Sequence, residues 1–168
     1  MITYQNLTSI HPEAKIGNNV TIEPFTTIYK DVEIGEGTWI GPNVTIMDGA
    51  RIGSFCKIFP GAVISAIPQD LKFNNELSIV EIGNYTTIRE CVTINRGTDA
   101  RGITKVGSNC LIMAYCHIAH DCSVGDHSIL SNNTTLAGHV EIGRGSVLSG
   151  LTAIQQFCSV GEFSFVAG

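Results

Sequence analysis

Lys15-Ile16-Gly17-Asn18-Asn19-Val20-Thr21-Ile22-Glu23-Pro24-Phe25-Thr26-Thr27-Ile28-Tyr29-Lys30-Asp31-Val32-Glu33-Ile34-Gly35 contains the rule that organises the whole chain. Isoleucine falls on every sixth position, at 16, 22, 28 and 34, and four residues after each comes a small or β-branched side chain: Val20, Thr26, Val32 and Thr38. The aliphatic lattice extends back to Ile10 and forward through 40, 46, 52, 58 and 64, then 82, 88 and 94. From Val106 it continues as Val, Ile or Leu at every sixth residue to Val166. The small lattice accompanies it from Ala14 to Ser164. Residues two apart on an extended segment point the same way, so a small position and the next aliphatic one both face inward. A turn between the aliphatic residue and the following small one breaks that alternation, and each hexad is one short strand plus one corner.

Glycine follows the lattice aliphatic at 17, 35 and 53, and again at 107, 125, 143 and 161, a spacing of 18 residues, so three hexads make one coil. Stacked coils place parallel strands about 4.8 Å apart on three flat faces around an aliphatic core, each coil touching only its neighbours. The expected fold class is all-β, a parallel β-helix solenoid forming a single domain over residues 1–168, with no Pro-rich, Gly/Ser-rich or charge-run linker dividing it.

Composition narrows the function. A net charge of -5 without a basic stripe argues against nucleic acid as partner. Met1 to Leu7 lacks the basic and apolar regions of a signal peptide, and no run of 18 apolar residues is present to insert in a membrane, so a cytoplasmic protein is expected. Five of the 6 cysteines, Cys56, Cys110, Cys116, Cys122 and Cys158, lie on the small inward lattice and read as small core residues. No CxxC pair suggests a thiolate metal site.

Two interruptions locate the function. Ile82 follows Ile52 by 30 residues and Val106 follows Ile82 by 24, where 18 is the rule. The extra residues form loops at about 65–80, containing Ile67-Pro68-Gln69-Asp70-Leu71-Lys72-Phe73, and at about 97–103. Both leave the third hexad of consecutive coils and therefore emerge along one corner, and loops on a rigid scaffold are where function resides. Translation by 18 residues stacks His120, Gly138 and Gln156 in a column on that side, with His139 above Asp121 and His117 at the corner leading in. His11 and His127 read as surface residues. Imidazole suits general-base chemistry near neutrality, which makes His120 the candidate base. Asp121 is placed to orient or charge-stabilise it, although neighbours on a strand point apart. Gly138 admits two readings, a turn glycine or a backbone N–H donor to a developing oxyanion. Asp70 and Lys72 read equally as site residues or solvated loop charges, and Arg96, Arg101 and Lys105 as a small basic cluster for an acidic partner or a solubilising set.

The segments Cys116-His117-Ile118-Ala119-His120-Asp121-Cys122, Asn132-Asn133, Leu136-Ala137-Gly138-His139-Val140 and Thr152-Ala153-Ile154-Gln155-Gln156-Phe157-Cys158 resemble the acyl-carrier-protein-dependent UDP-N-acetylglucosamine O-acyltransferases, which open lipid A (lipopolysaccharide) synthesis. So do Ile67 to Phe73, Ile88-Arg89-Glu90, Val92-Thr93-Ile94 and Arg96-Gly97-Thr98. The resemblance implies a left-handed coil, an exception to the right-handed crossover rule, and a homotrimer with sites between subunits. It also implies transfer of a 3-hydroxyacyl chain from acyl carrier protein to the glucosamine 3-hydroxyl of UDP-N-acetylglucosamine, without metal or organic cofactor. His120 is then the base and Gly138 N–H the oxyanion donor. Asp70, Lys72, Gln69, His117, His139 and Gln156 are then nucleotide-sugar and acyl-chain contacts. Gln155 stands where that family often has histidine.

Other hexad-built enzymes share the lattice without these motifs. One alternative is a coenzyme A-dependent acetyltransferase. Another is a γ-type carbonic anhydrase, which needs two histidines five residues apart, whereas His117, His120, His127 and His139 are spaced 3, 7 and 12. An ice-binding solenoid would show a flat threonine ladder, but Tyr29, Trp39, Met47 and Phe59 vary the outward positions. The resembled family carries further coils and a C-terminal helical domain beyond the point matching Gly168. The chain is therefore expected to turn over weakly or not at all beside a C-terminally extended version; equal turnover of the two contradicts this.

Overall fold

The computed structural model describes residues 3–4 and 7–168. Among them, three parallel sheets of nine, eight and eight strands run side by side. Each strand pairs with its counterpart one coil away. Thr21–Ile22 lies against Trp39–Ile40 on the first face, Thr27–Ile28 against Thr45–Ile46 on the second, and Lys15–Ile16 against Val32–Ile34 on the third. The register absorbs both insertions, with Arg51 opposite Glu81 and Glu81 opposite Lys105.

The lattice aliphatics fill the centre: Ile22, Ile40, Ile46, Ile58, Ile64, Ile88, Ile94, Ile112 and Ile118 have no accessible surface. Burial of each contributes about 1.5–3 kcal/mol. The small lattice does more than save space. Thr26, Thr38, Thr86, Ser128 and Ser146 donate their hydroxyls to Gly41, Gly53, Gly107, Gly143 and Gly161 carbonyls in the adjoining coil. Cys56, Cys110, Cys116 and Cys122 make the weaker sulfur equivalent to Gly83, Gly125, Ser131 and Ala137 carbonyls. A corner carbonyl turned inward would otherwise be a buried acceptor without a donor.

The glycines that recur at every coil reflect close approach. A Cβ on Gly35 would stand 2.6 Å from the carbonyl carbon of Gly53 and the backbone nitrogen of Ser54. Most corners also hold a residue in the left-handed region, among them Asn43, Tyr115, Asp121, His139 and Phe157. No β-branched residue has positive φ among the described residues, as side-chain sterics require.

The first loop is tighter than the sequence suggested, and the second has the expected length but begins one residue earlier. The flanking strands Val63–Ala66 and Ile79–Ile82 each run to four residues, so the first excursion spans 67–78. Thr93–Asn95 and Ile103–Val106 bound the second at 96–102. The first leaves where the register shifts between Ile64 and Ala66. Ser65 there has φ 67° and ties its hydroxyl to the Asp48 carbonyl at 2.7 Å.

Cys158 corrects one expectation: it is exposed, because among the described residues no further coil covers its own. Burial raises the Cys56 and Cys110 thiols and pushes those of Cys116 and Cys122 up to about 11. A thiol-alkylating reagent at neutral pH is thus expected to label Cys91 and Cys158 in the folded protein and spare the other four, as read by peptide mass spectrometry. Labelling of the buried four before unfolding contradicts this core.

Candidate active site

The corner between the second and third faces carries both loops, and the next coils stack directly on it. His139 N–H donates to His120 O at 3.1 Å and Phe157 N–H to Gly138 O at 3.2 Å, so His120, Gly138 and Gln156 form a column. The same hexad position tolerates proline, which has no N–H, at 12 on this corner and at 24, 42 and 60 on the corner between the first and second faces. The Gly138 N–H accordingly has no partner among the described residues. Gly138 is glycine for a reason other than turning, since its φ is not in the left-handed region. A Cβ there would lie 2.6 Å from both Cε1 and Nε2 of His120.

His120 is nearly buried and Asp121 completely so. His120 Nδ1 lies 2.8 Å from Asp121 Oδ2. Neighbouring side chains on a strand would diverge, but Asp121 sits at the corner with φ 60°, and that left-handed turn swings its carboxylate back under the preceding imidazole. Thr98 supplies two more bonds, N–H to Oδ1 at 3.0 Å and hydroxyl to Oδ2 at 2.6 Å. Burial pushes the Asp121 carboxyl up, yet the Thr98 hydroxyl, His120 and the Thr98 N–H outweigh it and leave it below the usual carboxylate range. An ionised carboxylate only accepts hydrogen bonds, so Nδ1 carries the proton, and in the neutral imidazole Nε2 is the nitrogen with the lone pair.

Nε2 faces the first loop, 4.0 Å from Asp70 Oδ2. A cleft of about 170 Å³ opens there, lined by Asp70, Lys72, Phe73, Glu76, Thr98, Asp99, Ala100, His139, Gln156 and Phe157. Asp70 Oδ1 accepts the Lys72 N–H at 2.9 Å, which shapes the loop tip. Glu76 bonds the backbone N–H groups of Asn74 and Asp99, linking the two loops. His139 stacks on Phe157 at 4.7 Å and meets His120 edge-on at 5.2 Å.

The structure therefore brings together His120, Asp121, Gly138, His139, Gln156, Asp70 and Lys72. Gln69 is exposed and does not line the cleft. His117 projects from the second face, its Nδ1 2.7 Å from the Thr93 hydroxyl, and burial lowers its pKa. Thr98, Glu76 and Phe157 line the cleft, and the residue patterns did not single them out; the 18-residue translation placed Phe157 over His139 and was the available signal for it. Arg96, Arg101 and Lys105 do not form a basic cluster. Arg101 pairs with Glu141 at 2.6 Å, Lys105 with Glu81 at 3.0 Å, and Arg96 lies over the Phe73 ring.

A wider trough of about 660 Å³ follows the third face past Lys15, Glu33, Arg51 and Glu81. These charges largely pair with each other or with neighbours and converge on no reactive group, whereas the smaller cleft lies beside the His120–Asp121 pair. His120, Asp121 and His139 offer ligand atoms within 4.8 Å of one another. Both Asp121 oxygens are already committed to Thr98 and His120, the pattern of a hydrogen-bonded dyad and not of an open cation site. No described helix is long and apolar enough to cross a membrane.

The sequence signature described as bacterial transferase hexapeptide (six repeats) matches residues 13–38, 31–66 and 103–138, more than half of the chain. The chain belongs to the bacterial transferase hexapeptide family. Among its relatives, an acyl-[acyl-carrier-protein]–UDP-N-acetylglucosamine O-acyltransferase from Anaeromyxobacter is 42% identical over 113 residues, covering 67% of this chain and 44% of that protein. One of the same name from Campylobacter concisus is 45% identical over 114 residues, with the same coverage. The solved UDP-N-acetylglucosamine acyltransferase of Bacteroides fragilis superposes with a TM-score of 0.96 at 49% identity, over 97% of this chain and 64% of that one. That of Campylobacter jejuni gives 0.94 at 44% identity, over 100% of this chain and 65% of that one. The chain thus spans under half of these curated relatives and just under two thirds of the solved ones. The chain is a left-handed parallel β-helix.

The depressed Asp121 carboxyl has a consequence for stability. A carboxylate whose folded pKa lies below its unfolded value, about 3.9 for Asp, adds stability that is fully present above the unfolded value and lost as pH falls through the folded one. Asp121→Asn is expected to unfold at lower urea than the parent at pH 7, with the gap closing below about pH 4. A gap that does not change with pH contradicts the assignment of an ionised Asp121.

Proposed function

We propose that the chain carries the active site of an acyltransferase that moves a 3-hydroxyacyl group from acyl carrier protein to the glucosamine 3-hydroxyl of UDP-N-acetylglucosamine, the first step of lipid A synthesis. The observation that carries this reading is the close packing of Gly138, whose N–H makes no hydrogen bond among the described residues, against the imidazole of His120, which Asp121 holds at 2.8 Å. The names of the relatives supply the acyl carrier protein and the nucleotide sugar; the 3-hydroxyacyl chain and the 3-hydroxyl acceptor follow from the motif resemblance.

In the proposed reaction His120 Nε2 removes the proton from the sugar hydroxyl as its oxygen attacks the thioester carbonyl. The Gly138 N–H donates to the resulting oxyanion, and Asp121 offsets the positive charge gained by the imidazole. Collapse breaks the C–S bond, and the departing thiolate takes the proton from His120. The reaction is complete without a redox partner, metal or organic cofactor. Asp70, Lys72, His139 and Gln156 hold the nucleotide sugar in the cleft, while His117 and Gln69, which lie outside it, serve the acyl chain or a site shared with a second subunit.

A homotrimer is part of the proposal. Two features support self-association: the outward column Leu111, Ile129, Val147 and Phe165 on the first face, and Leu71 and Leu77, which stand fully exposed on the first loop. Exposed apolar side chains of this kind support an interface. The soluble carrier protein and nucleotide sugar of the proposed reaction support a cytoplasmic location.

His120→Ala is expected to lower kcat about 10²–10⁴-fold. Gly138→Ala, whose Cβ must displace the imidazole, is expected to fall comparably while still folding. Acyl carrier protein thioesters are expected to outperform coenzyme A thioesters in the same assay. A near-parental rate for His120→Ala removes the general base from the account.

A further inference from the structure

We propose that Thr98, on the second loop, is a positioning residue that fixes the tautomer and orientation of the catalytic imidazole through Asp121. The inference rests on the general-base reading of His120 above. It assigns the second loop a task distinct from lining the cleft.

Asp121 Oδ2 accepts from the Thr98 hydroxyl at 2.6 Å and pairs with His120 Nδ1 at 2.8 Å, while Thr98 N–H donates to Oδ1 at 3.0 Å. The direction of the hydroxyl is fixed as well. The Ala100 N–H donates to Thr98 Oγ at 3.3 Å, which occupies a lone pair and commits the hydroxyl proton to the carboxylate. Thr98 is itself buried, and its carbonyl accepts the Gly102 N–H at 2.6 Å, closing the loop around it. From the other side Thr104 Oγ accepts the Asp121 N–H at 2.8 Å, and Arg101 reaches the Asp121 carbonyl at 3.4 Å. His139 Nε2 stands 3.7 Å from Oδ2 on the coil above.

A buried carboxylate with three close donors has one low-energy orientation, and charge-assisted bonds of this length are the strong ones. The competing arrangement rotates the carboxylate so that Oδ2 meets His139, which would release His120 Nδ1 and allow the proton to move to Nε2. An imidazole protonated on Nε2 cannot take a proton from the sugar hydroxyl. The paired bonds from Thr98 block that rotation, because turning the carboxylate breaks both at once. The insertion that makes the second loop is what brings Thr98 to this position, since an uninterrupted coil has no residue there.

The test uses Thr98→Val, which keeps the side-chain shape and removes the hydroxyl, with Thr98→Ser as the rescue. Imidazole ¹⁵N shifts of His120 report the tautomer, and steady-state kinetics report kcat and KM. The expected result for Thr98→Val is a His120 signal shifted from mostly Nδ1-protonated toward a mixture of tautomers. With it, kcat should fall about 10–100-fold, the weight of one charge-assisted hydrogen bond, and KM for the nucleotide sugar should stay within about twofold. Thr98→Ser restores both. Should the valine variant not fold, Thr98→Ala carries the same expectations. An unchanged tautomer in the hydroxyl-deleted variant overturns the proposal, as does an unchanged kcat or a serine variant that behaves like valine. If the parent chain shows no turnover, kcat and KM are read on the C-terminally extended version, where a near-parental rate for His120→Ala removes the general base, while the tautomer of His120 in the parent chain decides this inference.

Discussion

Everything in this molecule depends on the hydrogen bonds between one corner and the corner one coil away. Tyr85 N–H to Ser54 O, His139 N–H to His120 O and Phe163 N–H to Arg144 O are instances of one bond repeated along the solenoid. From inside, the hydroxyl and thiol donors of the small lattice reinforce it. These bonds fix the axial register, and with side chains alternating every residue, a slip by one position would turn the core outward. A fold held by nearest-neighbour coils has no long-range packing to repair such a slip. The regularity of the lattice is thus a requirement of the structure.

Fixed register means that chemistry must be assembled from columns. The corner between the second and third faces is suited to it because at 120/121, 138/139 and 156/157 it delivers a position whose N–H makes no backbone bond, followed by a residue with positive φ. At 120 and 121 these two properties place an imidazole and fold a carboxylate back beneath it; at 138 the same corner offers a free donor just above. The loops of the two preceding coils rise from the same edge. One sets Asp70 4.0 Å from His120 Nε2 and the other anchors Asp121 through Thr98. A buried carboxylate alone would resist ionisation; three donors reverse that. The scaffold, and not local flexibility, supplies the preorganisation.

The parts legible in the sequence are those governed by translation. The hexads disclose the strands, the 18-residue spacing discloses the coil, and adding 18 to His120 finds Gly138 and Gln156. The two departures from 18 disclose the loops and their shared corner. Where a side chain must turn, translation is silent. The pairing of His120 with Asp121 depends on a left-handed φ that strand alternation argues against, and Thr98 reaches Asp121 only because of the path of an irregular loop. The inward cysteines are correctly read by size, but their role as donors to corner carbonyls depends on a carbonyl orientation that no side-chain pattern records. Cys158 follows the lattice and is nevertheless exposed, since burial in a solenoid requires a neighbour as well as a pattern. Arg101 and Lys105 look like a pair in sequence, but each lies beside a carboxylate from another coil.

The central claim is that a substrate hydroxyl meets His120 Nε2 under the Gly138 N–H. A crystal structure of the protein soaked with UDP-N-acetylglucosamine tests it most directly. The account predicts ordered sugar between the first loop and the 120/138/156 column, with its 3-hydroxyl within about 2.6–3.2 Å of His120 Nε2. Sugar ordered elsewhere, along the third-face trough for instance, with no hydroxyl reaching His120, would contradict it.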